Sequence, residues 1–288
     1  MEFQKKNSKI RFLTYNILTS HNSNESVTSI YESEINAPCW KDRKINIVSD
    51  IVKADVIVLV EITKLQLASI LELSKSLKRN YKAVHFLKKD CTDGTAILYD
   101  YDRFIDIGWI SAYLNPESNT QIVVSLMLYE LATEKEFLVT GLHLKSGYKD
   151  MESKREEQIT IALDKVNKWL TDNDRNNLPH ILAGDLNTEF YNSPATRLYE
   201  NSHYRSKVLT KLEAYGFTNA FTDYSNTDNL NKYYPYVTYN YWQSSIFDYI
   251  YYKHDLVISD QFIPKIDGKI PDSNFGSDHL PVYVTINI

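Results

Sequence analysis

The run Val56–Val60, VIVLV, constrains the fold more than any other stretch of the chain. Five apolar residues, four of them β-branched, with no polar interruption read as a strand covered on both faces. A strand with one wet face would alternate instead. A second short apolar run, Ile181–Ala183, is stopped by Gly184, a residue that allows positive φ or close approach of a backbone or ligand. With 288 residues the chain has ample length to bury such strands, as one large domain or two small ones.

Along the chain, Ile10–Tyr15 reads as a strand that ends at Asn16, and the polar residues 19–40 as a long loop. Loops of that length in a compact domain are usually functional or mobile. Ile45, Val48 and Val52 at helical spacing predict a helix over Asp42–Lys53, and Leu65–Leu77 predicts a second. Strands are expected at Tyr81–Leu87 and Thr95–Tyr99, then alternating hairpin strands at Phe104–Tyr113, Gln121–Tyr129 and Glu136–Leu144. Lys154–Leu170 is a long helix with Ile159, Leu163, Val166 and Leu170 on one face. Helices follow from about Pro194 and over Lys207–Tyr215. Thr238–Trp242 and Phe247–Tyr252 look like a hairpin, Asp255–Ser259 like a short strand, and Pro281–Ile286 like the closing one. Helices intersperse strands early and hairpins dominate the middle. That pattern implies an α/β sandwich in which mixed sheets pack together with helices outside. Neither a repeat nor a linker-like composition shift appears, so residues 1–288 are expected to form one domain.

Each apolar run stops at a polar group: Asn16, Glu61, His143, Asp185, Asn187, Asp248, Asp278 and His279. Asp185 and Asn187 lie two apart, so an extended backbone would point both to the same side. Each alone has a plain reading as a turn former, a helix-start charge or a core histidine. Asp248 is harder to dismiss, because a carboxylate between Phe247 and Tyr249 needs a partner if buried. Together the carboxylates Glu61 and Asp278, with amide oxygens, suit Mg²⁺ or Mn²⁺ and not zinc. Two histidines oriented by carboxylates suit proton transfer or stabilisation of a charged transition state. This is the toolkit for in-line attack of water on a phosphate ester. With a net charge of −5 there is no global basic field for nucleic-acid duplexes, so phosphate must be held by local basic groups or a metal ion.

The ordered segments TYNIL (14–18), ADVIVLVEI (54–62), DGTAILY (93–99), LHLKSG (142–147), GDLN (184–187), FDYIYY (247–252) and SDHLPV (277–282) resemble the endonuclease/exonuclease/phosphatase superfamily. The resemblance implies the DNase I-like fold, a four-layered α/β sandwich of two packed mixed β-sheets flanked by helices. Trp40-x-x-Arg43, Arg155-x-x-Gln158, the Thr238…Trp242 segment and the end PDSNFGSDHLPV resemble its deadenylase, nocturnin and Angel branch. By position, the resemblance implies that Glu61 binds the catalytic Mg²⁺, with Asp278 near or on the metal and Asn16 supporting metal or phosphate. It gives Asp185 the attacking water, Asn187 the phosphorane oxygens, His279 held by Asp248 the transferring phosphoryl group, and His143 the scissile phosphate. Three positions depart from the pattern: Val60 where Gln is usual, Leu142 where Thr is usual, and QSSIFDY without the basic residue of nocturnin-like proteins. The last speaks against a nocturnin-type dinucleotide substrate.

Lys145, two residues after His143, projects to the same side on an extended backbone and is a candidate phosphate contact. Arg155 is a second candidate, or else a partner for a nearby glutamate. Tyr233, Tyr234, Tyr236, Tyr239, Tyr241 and Trp242 read as a packed sheet face, or as a surface on which an unpaired base stacks. The expected activity is that of a Mg²⁺-dependent phosphodiesterase on single-stranded RNA 3′ ends. The alternative is a phosphatase or phosphodiesterase on small nucleotides bearing a 2′-phosphate or 2′-5′ linkage. A DNA repair endonuclease and an inactive binding scaffold rank behind both. No protein-recruitment module, secretory signal or membrane-length apolar run is visible, and Cys39 and Cys91 read as free thiols. A cytoplasmic monomer is expected.

Overall fold

A computed structural model of the chain describes residues 8–20, 28, 32–33, 35, 37–115, 120–147, 151–188, 206–221, 238–240, 244–265, 269–272 and 274–288. The elements run β1 (Lys9–Asn16), α1 (Trp40–Ile51), β2 (Val56–Thr63), α2 (Lys64–Ser76), β3 (Tyr81–Leu87), β4 (Asp93–Asp100), β5 (Phe104–Tyr113) and β6 (Ile122–Glu130). They continue as β7 (Lys135–His143), α3 (Glu152–Asp172), β8 (His180–Asp185), α4 (Lys207–Ala214), β9 (Thr218–Asn219), β10 (Tyr239–Asn240), β11 (Ser244–Ser245), β12 (Asp248–Lys253), β13 (Val257–Phe262) and β14 (Val282–Asn287). One six-stranded sheet has the order β13-β14-β1-β2-β4-β3, and the other β5-β6-β7-β8-β12-β9. The expected α/β sandwich of two mixed sheets is therefore what forms.

The two faces of β2 show why. Val56, Val58 and Val60 point between the sheets, where they pack with Ile97, Val124, Leu126, Val139, Ile181 and Ala183. Ile57 and Leu59 point the other way, onto Ile47, Val48 and Ile51 of α1 and Ile70 of α2. On the second sheet, Leu138 and Leu182 pack outward against Ile159, Leu163, Val166 and Leu170 of α3. The layers are thus helix, sheet, sheet, helix. α2 begins with a capping box in which Thr63 Oγ1 accepts from the Gln66 N–H and Gln66 Oε1 accepts from the Thr63 N–H. Such a cap contributes about 1 kcal/mol.

Each sheet has one parallel pair at its centre, β1 with β2 and β7 with β8, and antiparallel neighbours elsewhere. The carboxyl ends of all four strands lie at the same end of the sandwich. β12 runs antiparallel to β8 with Asp248 opposite Asp185, so it starts at that end too. Among the described residues, the hairpin expected between Thr238–Trp242 and Phe247–Tyr252 is replaced by other pairings. Tyr239–Asn240 pairs with Ser244–Ser245, while β12 is claimed by the longer β8 and by β9. The helix expected from Pro194 lies outside the described residues. Among the described residues no helix is long and apolar enough to cross a membrane.

Gly184 permits the close approach of β8 to β7. Its φ is +142°, and an added Cβ would meet the Leu142 carbonyl oxygen at 1.9 Å. Gly184→Ala is expected to lower stability by about 3 kcal/mol or more, through both strain and overlap with backbone that cannot rotate away. The urea midpoint of unfolding measures this, and an unchanged midpoint would refute the β7–β8 geometry.

Candidate active site

Asn16, the last residue of β1, is the centre of the polar cluster. Its Nδ2 donates to Glu61 Oε1 and to Asp185 Oδ2, at 3.1 Å each, and lies 3.4 Å from His279 Nε2. Its Oδ1 accepts from the Leu18 N–H, which fixes which way the amide faces. Glu61 occupies a bulge in β2, between Val60 and Ile62, with φ of +57°. That left-handed conformation is costly for a non-glycine residue, and it turns the carboxylate out of the strand row into the cleft. The Thr19 N–H donates to Glu61 Oε2. Asp185 ends β8 opposite His143 at the end of β7. His143 Nε2 lies 3.8 Å from Glu61 Oε1 and 3.7 Å from Asp185 Oδ2. From the other side, His279 Nε2 lies 3.7 Å from Asp185 Oδ2, while its Nδ1 is 2.7 Å from Asp248 Oδ2.

The two histidines are driven apart electrostatically. Burial and the Lys88 ammonium push the pKa of His143 well down. Burial also opposes charge on His279, but Asp248 and Asp185 outweigh it and raise its pKa above the ordinary value. Asp185 is itself raised, by burial first and by Asp248, against the pull of His279 and the Asn16 hydrogen bond. Environments that push neighbouring groups in opposite directions are how a site assigns acid and base roles.

The donor set fits a hard divalent cation. Ligand atoms of Asp185, Asp248 and His279 lie within 4.8 Å of one another, and the Glu61 carboxylate shares the Asn16 amide with Asp185. Among the described residues, Asp248 Oδ1 is buried without a hydrogen-bond partner. The carboxylate repulsion that raises Asp185 is the kind that a bound cation relieves. Asp278 is 3% exposed and its charge is felt at His279, Tyr15 and Arg43.

Loops behind the cluster are clamped by buried polar side chains. Arg43, 1% exposed, donates to the carbonyls of Ile17, Leu18 and Gly276 and pairs with Glu32 at 2.7 Å. It thereby ties the turn after Asn16 to the turn before Asp278. Thr238 Oγ1 accepts from the N–H groups of Phe247 and Asp248, and its carbonyl accepts from the Leu280 N–H. That small contact joins the Asp248 and His279 segments. Glu152 at the start of α3 accepts from Thr188 and Ser206 hydroxyls and from the Lys207 N–H, holding the chain just after Asn187.

One expectation about side-chain direction is corrected, and the choice left open for Arg155 falls to a glutamate partner. Asn187 does not continue the strand: its φ is +50°, its N–H donates to Asp185 Oδ1, and its Nδ2 donates to the Leu144 carbonyl. The Asx-type turn prevails over period-2 geometry because Asp185 can satisfy the backbone locally. Arg155 is 2% exposed, with Nε on Glu152 and Nη1 on the carbonyls of Lys145 and Gly147, so it is set beneath the 145–147 loop and not toward a substrate. Gln158 Oε1 accepts from the Lys145 N–H in the same clamp. The partly exposed Lys145 is close enough for its charge to act on His143. Trp242 and the other aromatics of its stretch, except the backbone of Tyr239, lie outside the described residues. Lys88 and its partner Asp93, beside His143, were given no role by the sequence. Lys88 sits in the polar loop KKDCTD, which carries no periodic signal.

An α/β sandwich with carboxylates, amides and two oppositely tuned histidines at the strand ends defines a phosphoric ester hydrolase. A model of the endonuclease/exonuclease/phosphatase family matches residues 13–279, and the chain belongs to that family. Among solved structures, the chain is similar to human Nocturnin catalytic domain with bound sulfate (20% identity, 96% of this chain and 94% of that one, TM-score 0.69). It is also similar to ANGEL2, a 2′,3′-cyclic phosphatase, in complex with adenosine-2′,3′-vanadate (16% identity, 98% and 96%, TM-score 0.73). A third is a mannosyl-6-phosphatase of Bacteroides thetaiotaomicron (17% identity, 96% and 99%, TM-score 0.66). No curated protein matches the chain by sequence.

The Asp248–His279 contact predicts a pH signature. A histidine pKa raised by its partner keeps the imidazolium, and the stability that it adds, below that pKa, and loses both as pH rises through it. Asp248→Asn removes the largest opposing carboxylate while burial stays. The His279 transition followed by ¹⁵N NMR is therefore expected to move down, toward or below pH 6.5. An unmoved transition would show that Asp248 does not set the charge on His279.

Proposed function

We propose that this protein is a Mg²⁺-dependent phosphodiesterase that hydrolyses phosphate esters at RNA 3′ ends by in-line attack of an activated water. The observation that carries this reading is the Asn16 amide shared by Glu61 and Asp185 between two histidines of opposite tendency. Glu61, with the adjoining Asn16 and with Asp278, would hold the Mg²⁺ (or Mn²⁺), which would supply Lewis-acid polarisation of the phosphoryl group.

The chain's own groups divide the remaining work. Asp185, whose burial favours the protonated carboxyl, takes the proton of the attacking water. His279, kept charged by Asp248, stabilises negative charge as it grows on the phosphoryl oxygens. His143 meets the same group from the β7 side. Asn187 supports the turn that places Asp185 and lies next to the developing charge. Lys145, partly exposed beyond His143, suits a contact to a flanking phosphate.

A small nucleotide bearing a 2′-phosphate or 2′-5′ linkage is the second reading, favoured by the net charge of −5, which offers long strands little attraction. The likeness to ANGEL2 bound to adenosine-2′,3′-vanadate supports nucleotide ends as the chemistry in either reading.

The test is 5′-labelled RNA ending in oligo(A), incubated with protein and Mg²⁺ and resolved on a denaturing gel. Parallel lanes contain EDTA, Asp185→Ala or Glu61→Gln. A ladder shortening from the 3′ end is expected, abolished by EDTA and slowed about 10²–10⁴-fold in each variant. Cleavage that survives EDTA would sink the metal assignment, and an unimpaired Asp185→Ala would sink the mechanism. An unchanged RNA band together with turnover of a 2′-phosphorylated nucleotide would select the second reading.

A further inference from the structure

His143 has a neighbour that is unusual for a histidine facing carboxylates. Its Nδ1 lies 3.3 Å from Lys88 Nζ, and Lys88 is in turn held by Asp93 Oδ2 at 2.5 Å. Both partners are nearly enclosed, with side chains 11% and 6% exposed. The pair is built by the β3–β4 hairpin: the Lys88 N–H donates to the Asp93 carbonyl across the turn. Gly94 lets the two strands close there, since an added Cβ would meet the Phe86 carbonyl oxygen at 2.0 Å. Asp93 pairs with Thr63 and Gly94 with Ile62, so the hairpin is anchored to the same bulge that turns Glu61 into the cleft. Lys88 is therefore a fixed group and not a wandering surface lysine.

An ammonium offers three donors and no acceptor. A ring nitrogen 3.3 Å from it can only accept, so Nδ1 must be bare and the single proton of the neutral ring must sit on Nε2. Nε2 is the atom that faces Glu61 and Asp185 across the cleft. We infer that Lys88, anchored by Asp93, fixes His143 as a neutral ring with its proton on Nε2, making this histidine a hydrogen-bond donor to the phosphoryl group and not a proton acceptor. The assignment rests on the phosphoesterase reading of the cleft only for what the donor points at. Lys88 acts through His143 and is a positioning residue. It gives the site two different histidines: His279 a charge clamp whose Nδ1 faces a carboxylate, His143 a neutral donor whose Nδ1 faces an ammonium. The polarity of the Nδ1 partner makes that difference.

The test reads the tautomer directly, on the full chain with Mg²⁺ present and no substrate. Imidazole ¹⁵N NMR, with the His143 signals assigned by their loss in His143→Gln, is expected to show a bare Nδ1 and a protonated Nε2. Lys88→Met, similar in size but without donors, is expected to shift His143 toward the Nδ1–H tautomer. It is also expected to lower kcat about tenfold or more, with KM changed less than about threefold. Lys88→Arg, which keeps the donors, restores the Nε2–H tautomer and most of kcat. Should Lys88→Met fold poorly because Asp93 is left alone, Lys88→Met with Asp93→Asn removes both charges and is read in the same way. A wild-type His143 protonated on Nδ1, or a tautomer unmoved in both variants, would overturn the inference whatever the activity. Lack of turnover on every phosphate ester tried would count against the phosphoesterase reading, while the tautomer would still decide the role of Lys88.

Discussion

Two carboxylates from different sheets, Glu61 and Asp185, meet on one amide nitrogen, and the site depends on that meeting. Each is 3.1 Å from Asn16 Nδ2, which places them within about 6 Å of one another. At an effective dielectric of about 20, like charges at that separation repel by about 3 kcal/mol. Hydrogen bonds to charged groups contribute about 1.5–3 kcal/mol each, so the two that Asn16 donates are of the size needed to offset the repulsion. An apolar residue at position 16 would leave the carboxylates to separate or to share a proton. Because Asn16 belongs to the first sheet and Asp185 to the second, this amide also fixes how the two sheets' ends face one another.

Around that amide the histidines follow from what lies behind each ring. Asp248 comes from β12 because β12 pairs with β8 in a register that puts Asp248 opposite Asp185. Lys88 comes from a hairpin of the first sheet and reaches His143 of the second. Both outer nitrogens therefore meet a partner carried across the sandwich: His279, just before β14 of the first sheet, meets a carboxylate of the second, and His143 of the second sheet meets an ammonium of the first. The electrostatic asymmetry of the cleft is chiefly a consequence of sheet packing, to which the sequence neighbours Asp278 and Lys145 add smaller contributions of the same sign.

This explains which parts of the site could be read from the chain. Glu61, Asp185, Asp248 and His279 terminate or interrupt apolar runs, and the packing that buries those runs is what brings their ends together. They are therefore legible in the sequence as a group, and the doubly covered VIVLV strand points to the layering. Direction was less legible. Asn187 was assigned a face from strand periodicity and Arg155 was left between a phosphate and a glutamate, but each is turned by a hydrogen bond to a carbonyl of the 144–147 loop. Pairing between β12 and β8 likewise displaced a local hairpin, because a long-range partner offered six paired positions against a few. Lys88 had no signal at all: a lysine in a polar turn looks the same whether it is solvated or aimed at a histidine.

Backbone strain completes the account. Leu18, Glu61 and Asn187 all have φ between +50° and +57°, and all three lie within the polar cluster or its turns. Residues held there without glycine's freedom cost about 1–3 kcal/mol each. Such conformations persist only where surrounding contacts over-determine them, and each has such contacts. The Leu18 carbonyl accepts from both Arg43 and Gln66, Glu61 from Asn16 and the Thr19 N–H, and the Asn187 turn is followed at Thr188 by the Glu152 clamp. The buried Arg43 and Glu152 are best understood in this light. A buried ion pair adds little to stability by itself, but removing one partner costs about 3–5 kcal/mol. Their contribution here is to hold strained turns in place so that the carboxylates, amide and histidines need not reorganise as charge develops on a phosphate.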